Sequence, residues 1–360
     1  MFSFINLQAQ YKAYKEEIDL EISKILNQAQ FIAAPCVKEL ESNLSKYIKI
    51  KHSISCSNGT SALLAALNAI DIKEDDEIIT SAFTFIASAE MIALCKAKVV
   101  FVDINMQDLN LDINEVKKAI TPKTKAILAV SIFGQMPNLL ELKKIAEENN
   151  IYLIEDAAQS FGAKDNKNNI SGSIAHISTT SFFPSKPLGC YGDGGAVFTN
   201  DDFLAEKIRL FVNHGSKQRY LHEIIGVNAR LDSIQAAVLN VKLKHFDEEL
   251  AKRQELAKIY DDNLINCKKI KIKDSYTSVY AQYSILVDDR EKIINEFIKN
   301  DLPYAVHYPM PLHKQPCFKE YNKLTLKNTE YVCKHIISLP FCAFLDKNNQ
   351  EKVISMFKNL

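Results

Sequence analysis

The chain has 360 residues, with 44 Lys and Arg against 44 Asp and Glu, and 47% of it is hydrophobic. That length supports a large core and a division into two domains. The balanced charge, without long runs of one sign, leaves no electrostatic footprint for nucleic acid or an anionic membrane.

The eight cysteines, at positions 36, 56, 95, 190, 267, 317, 333 and 342, contain no C-x-x-C pair and read as free thiols of a reducing compartment. The N-terminus lacks the basic-then-apolar order of a signal peptide. No apolar stretch approaches the ~20 residues of a membrane span, so a cytoplasmic protein is expected.

Apolar residues at helical spacing from Gln8 to Gln30 predict one amphipathic helix, and a second runs from Val37 to about Ile48 after the Pro35 turn. Ser53–Ser57 reads as a short strand running into Asn58-Gly-Thr-Ser, and Ala62–Ile70 is a strong helix former. This order puts the free N–H groups of Gly59, Thr60 and Ser61 at a helix N-terminus, where phosphate is a usual occupant. A plain N-cap accounts for the same residues.

From Glu77 onward strands alternate with helices: strands at 77–80, 98–102, 126–131 and 152–155, helices at 85–95, 114–120 and 139–149. The strands are near-continuous apolar runs, which predicts a parallel α/β sheet with helices on both faces. Ligands of such sheets bind beyond the carboxyl ends of the strands. Asn58–Ser61, Phe83–Phe85 and Asp156–Gln159 all fall there. No G-x-G-x-x-G follows the first strand, which argues against a dinucleotide.

The sheet ends at Thr179–Thr199, a stretch holding Gly189, Gly192, Gly194 and Gly195 and bracketing Lys186 with Pro184 and Pro187. Glycine and proline together shape a tight loop, here between two apolar runs. A lysine in a partly desolvated loop can act as a nucleophile or form a Schiff base, although a solvated loop lysine is the plain alternative. The glycines are expected to let the backbone pass close to a bound cofactor and to a partner subunit.

A helix from Asp201 to about Asn213 and a polar loop, His214–Tyr220, follow. The helical run Arg230–Val241 is expected to pass with little break into Lys244–Leu264. Beyond Cys267 the pattern gives a strand (Tyr280–Val287), a helix (Glu291–Asn300), a Pro-rich loop (Tyr304–Pro316) and a last helix near Gln350–Asn359. The expected division is a large domain over 1–244 and a smaller α+β domain over 245–360, with a broad interface because no long linker separates them.

Asp156 follows a buried strand and faces the ligand crevice, so its carboxylate needs a partner. It could cap a helix starting at Ala157 or pair with a protonated ring nitrogen. A phosphate site, an acid for a pyridinium nitrogen and a Schiff-base lysine are together what pyridoxal phosphate requires. Phe85 could stack on the ring, although a lone aromatic more often belongs to a core.

Five ordered blocks carry a resemblance over nearly the full length. They are Asn58-Gly-Thr-Ser-Ala-Leu, Glu155-Asp-Ala-Ala-Gln-Ser-Phe-Gly-Ala, Ser181-Phe-Phe-Pro-Ser-Lys-Pro-Leu-Gly-Cys-Tyr-Gly-Asp-Gly-Gly-Ala, Gly226-Val-Asn-Ala-Arg-Leu-Asp-Ser-Ile-Gln-Ala-Ala and His307-Tyr-Pro-Met-Pro-Leu-His-Lys-Gln-Pro. The chain resembles the DegT/DnrJ/EryC1/StrS family of sugar-nucleotide aminotransferases, and most of all the subgroup acting on UDP-2-acetamido sugars with a C3 ketone.

The resemblance implies the type I fold of aspartate aminotransferase, with a mostly parallel seven-stranded sheet and a small C-terminal α+β domain. It implies pyridoxal 5'-phosphate held on Lys186, which also moves the proton. Asp156 would pair with the ring nitrogen, Gln159 with the ring hydroxyl, and Phe85 would stack. Gly59, Thr60 and Ser181 would hold the phosphate with Asn228 of a neighbouring subunit, making an obligate homodimer with shared sites. His214, Arg219, Tyr220, Arg230, His307, Tyr308 and His313 are candidates for the nucleotide-sugar side. Glutamate would be the amine donor, leaving as 2-oxoglutarate.

The alternatives are a 3- or 4-keto-6-deoxy sugar on dTDP or UDP, a sugar dehydratase, and a non-catalytic sensor. Dehydratases of this family carry histidine in place of Lys186, and a sensor has little reason to keep lysine, aspartate and phosphate loop together. The spacing of His307 and His313 is not a zinc pattern, so no metal is expected.

Overall fold

The computed structural model describes residues 2–265 and 267–358. Two helices, α1 (Leu7–Gln28) and α2 (Pro35–Ile48), precede β1 (His52–Cys56) and α3 (Gly59–Ala69). Then come β2 (Glu77–Ser81), α4 (Ala87–Leu94), β3 (Lys98–Val102), α5 (Ile113–Ala119), β4 (Thr124–Val130), α6 (Leu139–Glu148) and β5 (Tyr152–Asp156). The large sheet is completed by β6 (Ile177–Ser181) and β7 (Gly195–Thr199).

These seven strands lie in the order β1-β7-β6-β5-β4-β2-β3. All neighbours are parallel except β7, which runs against both β1 and β6. Alternate residues of the strands feed opposite faces, as a period of two requires. Ile54, Ile78, Leu128, Ile154 and Val197 pack under α3, α4 and α7 (Asp202–Phe211). Ile79, Ile127 and Leu153 pack against α5 and α6.

The reversal of β7 positions the site. Its first residue, Gly195, is in register with both Cys56 at the end of β1 and Ser181 at the end of β6. Three strand ends and the start of α3 therefore converge at one point on the carboxyl edge.

A hairpin, β8 (Ser216–Gln218) with β9 (Leu221–His222), leads to α8 (Ser233–Lys244) and α9 (Phe246–Asn263). The expected near-continuous helix is thus interrupted at His245. Next come β10 (Lys268–Lys269), β11 (Tyr283–Leu286), α10 (Arg290–Lys299), α11 (Lys327–His335), β12 (Ile336–Leu339) and α12 (Lys347–Lys358). The expected end of the last helix, Asn359, lies outside the described residues. The antiparallel sheet β10-β11-β12 packs one face into a second core with Tyr260, Phe297, Val353 and Ile354. Its other face, through Leu286 and Ile336, joins the main core.

The helix expected from Phe85 starts at Ala87 instead, which leaves Phe85 in the turn after β2. The hairpin, β10, α11 and β12 have no counterpart among the expected elements. The four strands among them run for only two to four residues, too short to carry a period, and α11 is a short helix of nine residues.

Candidate active site

β5 delivers Asp156 to the carboxyl edge of the sheet, where it is buried. Its Oδ2 accepts from Ser88 Oγ at 2.8 Å and its Oδ1 from the Ala158 amide at 3.1 Å. Residues 158–162 form turns, so Asp156 caps no helix. Burial pushes its pKa up, while the Ala158 amide, the Ser88 hydroxyl and the charge of Lys186 oppose that shift.

Lys186 lies in the loop between β6 and β7. Its amine makes no hydrogen bond or ion pair with the described residues. Desolvation lowers its pKa below the ordinary lysine value, against the pull of Asp156. An amine so placed is more readily a free base than a surface lysine, which is what a nucleophilic lysine requires.

Asn58 caps α3 by accepting from the Ser61 amide at 2.7 Å. Ser61 is therefore not among the open donors, whereas the amides of Gly59 and Thr60 have no acceptor among the described residues. A Cβ on Gly59 would stand 2.8 Å from that of Ser181, and one on Gly195 would stand 2.5 Å from the Asn58 carbonyl carbon and oxygen. The glycines thus let the chain pass its own backbone. That is the reason for Gly189 as well, where a Cβ would meet the Pro184 oxygen at 2.5 Å.

Gln159 is held from both sides: Oε1 accepts from the Phe133 amide at 2.8 Å, and Nε2 donates to the Tyr308 hydroxyl at 3.0 Å. The Tyr308 ring lies 6.1 Å from Phe83 and 6.4 Å from Phe85. Phe85 is 55% exposed, an accessible aromatic face rather than core. His307 shares a hydrogen bond between Nδ1 and Ser338 Oγ at 2.8 Å. Burial, with the nearby charge of Lys186, pushes its pKa down to about 4, so the imidazole is neutral at ordinary pH.

Lys186, Asp156, Gln159, Phe85, His307 and Tyr308 therefore form one group, and Gly59, Thr60 and Ser181 meet at the strand ends where the Lys186 loop begins. The other candidates lie apart within the single chain. His214, Arg219 and Tyr220 are exposed around the β8–β9 hairpin, with the Arg219 guanidinium 5.0 Å from the Tyr220 ring centre. Asn228 and Arg230 line a cavity of about 420 Å³ with Ser57, Asn58, Gly192 and Asp193. Its link to the main site is Asn58, the cap of α3.

His313 is a correction. It has no accessible surface, and its Nε2 lies 3.0 Å from Glu330 Oε1, so it packs the fold and offers nothing to a sugar. Ser88, the hydroxyl donor to Asp156, was not among the expected residues. It sits inside α4 with no local motif to mark it. Glu155, next to Asp156, is buried and accepts from Ser131, Ser171 and the Gly172 amide, which gives it a structural part.

Two open amides beside crowded glycines, an accessible aromatic face, a buried carboxylate and an unpartnered lysine fit the phosphate, ring, ring nitrogen and aldehyde of pyridoxal phosphate. Fold and site together define a pyridoxal phosphate-dependent enzyme of the aspartate aminotransferase type. The family is specific: residues 12–358 match the DegT/DnrJ/EryC1/StrS aminotransferase family, and the chain belongs to it.

The chain is 44% identical over 351 residues to the UDP-2-acetamido-2-deoxy-3-oxo-D-glucuronate aminotransferase of Pseudomonas aeruginosa, covering 96% of each chain. It is 39% identical to a pleiotropic regulatory protein of Geobacillus stearothermophilus, over 97% of this chain and 96% of that one. Among solved structures, S. venezuelae DesV in complex with a ketimine intermediate superposes with a TM-score of 0.96 at 31% identity, covering 99% of this chain and 97% of that one. The protein is an aminotransferase that works with pyridoxal phosphate.

Proposed function

We propose that this enzyme transfers an amino group from glutamate to the C3 ketone of a UDP-linked 2-acetamido sugar, supplying amino sugars for surface polysaccharide or lipid A. The observation that carries the amino transfer is the unpartnered Lys186 amine beside buried Asp156. The sugar class is supported by the 44% identical relative, whose name specifies a 3-oxo glucuronate on UDP.

The bound cofactor supplies an electron sink that lets an amine and a ketone change places. The residues here do the rest. Gly59 and Thr60 amides and the Ser181 hydroxyl would bind the phosphate, helped by the positive end of α3. Asp156 would hold a proton on the ring nitrogen, Gln159 would meet the ring hydroxyl, and Phe85 would cover one ring face. Lys186 would take the proton from the donor carbon and return it on the acceptor side. Neutral His307 and Tyr308, which lie beside Lys186 and Gln159, would face the sugar.

The reading includes a homodimer in which Asn228 and the residues around the hairpin complete the neighbour's site. Tyr220 and Ile225 are 82% and 94% exposed, and Phe31 and Ile32 stand open nearby, apolar surface that a partner would cover. It also includes a working division into residues 1–244 and 245–360, supported by the second core around Tyr260 and Phe297. No helix of the described residues is long and apolar enough to cross a membrane, and the reading places the enzyme in the cytoplasm.

The test is the reverse half-reaction: 2-oxoglutarate with a panel of UDP- and dTDP-linked amino sugars, scored by mass. Loss of nitrogen from a UDP-3-amino-2-acetamido sugar is expected; loss only from 4-amino-6-deoxy sugars overturns the substrate. Lys186→Ala is expected to abolish both turnover and the visible band of the bound cofactor, and retained activity would overturn the catalytic assignment.

A further inference from the structure

Lys242 on α8 is 1% exposed, which is unusual for lysine. A buried ammonium group is costly unless it is fully bonded, and an apolar residue in its place would commonly serve stability as well. Its bonds point to the catalytic loop. Nζ donates to the Gly189 carbonyl at 2.7 Å and to Gln10 Oε1 at 2.8 Å, and it lies 4.3 Å from the Tyr191 ring centre.

Gln10 on α1 in turn donates Nε2 to both carboxylate oxygens of Glu249 on α9, at 2.9 and 3.0 Å. Three helices therefore meet beneath one carbonyl group, three residues after Lys186. Gln10, Glu249 and buried Arg253 share a narrow cavity with Lys186 itself, so the cluster reaches the lysine as well as its loop.

The loop is built to transmit such a hold. At Gly189 its two limbs are pressed together, since a Cβ there would stand 2.5 and 2.7 Å from the carbonyl oxygens of Pro184 and Phe183. The Lys186 amide bonds to Phe183 O and the Cys190 amide to Phe182 O, both at 2.8 Å. A displacement of Gly189 therefore moves the backbone that carries Lys186.

We propose that Lys242 is a positioning residue for amino transfer: its ammonium group anchors the Gly189 carbonyl to α1 and α9 and so sets where the Lys186 amine lies. The proposal rests on the catalytic reading of Lys186, and the reading does not depend on it. Gln10 is the relay that joins Lys242 to Glu249, since no direct ion pair between the two is formed among the described residues.

The test compares Lys242→Met, Lys242→Arg and Gln10→Met with the parent. On the holoenzyme the measurements are kcat, KM for glutamate and the pH midpoint of the visible band of bound pyridoxal phosphate. On the cofactor-free protein the measurement is amide hydrogen exchange of the peptide spanning 183–192. For Lys242→Met, kcat is expected to fall by up to about 100-fold, as for an ångström-scale misplacement, with KM within about twofold. The band midpoint shifts, and exchange in 183–192 quickens about tenfold without cofactor, against a protection set by local opening. Lys242→Arg, which keeps the charge and donors, recovers most of kcat.

Lys242→Met with the parent's kcat and exchange overturns the proposal. So does a fall in kcat with neither exchange nor band midpoint altered. If Lys242→Met does not fold, Gln10→Met decides: parent-like exchange and band midpoint overturn the proposal, and faster exchange with a shifted midpoint supports it. In each case the activity of Lys186→Ala reports separately on the catalytic reading.

Discussion

Gly195→Ala should cost the enzyme its cofactor before it costs the fold. The new Cβ would stand 2.5 Å from both the carbonyl carbon and the oxygen of Asn58 and 2.8 Å from the Gly59 nitrogen. All three are backbone atoms at the start of α3, so the strain cannot be relieved by rotating a side chain. Overpacking of this kind costs ~1–3 kcal/mol. With about 2 cal/mol/K of unfolding entropy per residue, a chain of this size would lose only ~1–4 °C in Tm. The shift falls on the two open amides of Gly59 and Thr60. Misaligning one bond to a charged phosphate forfeits ~1.5–3 kcal/mol, or ~10–100-fold in Kd for pyridoxal phosphate. Gly192→Ala is the control, because its Cβ would meet the movable amide end of Gln235 at 2.9 Å. Fluorescence titration of the cofactor-free proteins gives Kd, and thermal unfolding gives Tm. If Gly195→Ala binds the cofactor as tightly as Gly192→Ala does, the cradle is misassigned.

Asp156→Asn should lower kcat by ~10²–10³-fold, the range for removing one aligned charge from a site, with normal secondary structure by circular dichroism. A loss under tenfold would contradict its pairing with the cofactor ring. His307→Asn should flatten the acid side of the stability profile. The folded imidazole titrates at about 4 against an ordinary 6.5, so the unfolded chain takes up the proton first. The stability that burial of the neutral ring contributes is present above pH 6.5 and lost as pH falls toward 4. Tm measured at pH 7, 5 and 4 checks this, and an unchanged slope in the variant would count against it. His313→Leu should leave KM for the sugar within twofold while lowering Tm, since it strips Glu330 of a partner at 3.0 Å; a large rise in KM would restore His313 to the sugar site.

Much of this site could be read from local sequence because its parts sit at strand ends. Asp156 and Lys186 follow apolar runs, and Gly59 and Thr60 stand between a strand and a helix, so each carries its own signal. What could not be read depends on contacts between distant segments. Ser88 meets Asp156 across 68 positions, and Gln159 meets Tyr308 across 149. Neither pair has a spacing that a period could reveal. His313 shows the opposite failure. It shares a motif with His307, yet it is buried with its Nε2 3.0 Å from Glu330, and motif membership carries no information about burial. The close approaches of the glycines were hidden for the same reason: the atoms nearest Gly195 and Gly189 belong to Asn58 and Pro184 of the same chain, one of them far away in sequence.

The reversed strand β7 connects these observations. Had β7 run parallel to its neighbours, its carboxyl end would have faced the crevice and Gly195 would have stood at the opposite edge of the sheet. Running antiparallel, it brings its first residue between the ends of β1 and β6, against Cys56 on one side and Ser181 on the other. The Lys186 loop is then the return between two adjacent strands and can be short and tightly bonded. Its base is fixed by the bond from the Phe182 amide to the Gly194 carbonyl at 2.7 Å, and its far side by Lys242. The proposed phosphate cradle and Lys186 thus share one strand connection, so a strain introduced at Gly195 should reach both. Gly195→Ala should therefore move the visible band of whatever cofactor it still binds, whereas Thr60→Pro, which removes one open amide at the first turn of α3, should weaken binding and leave the band in place.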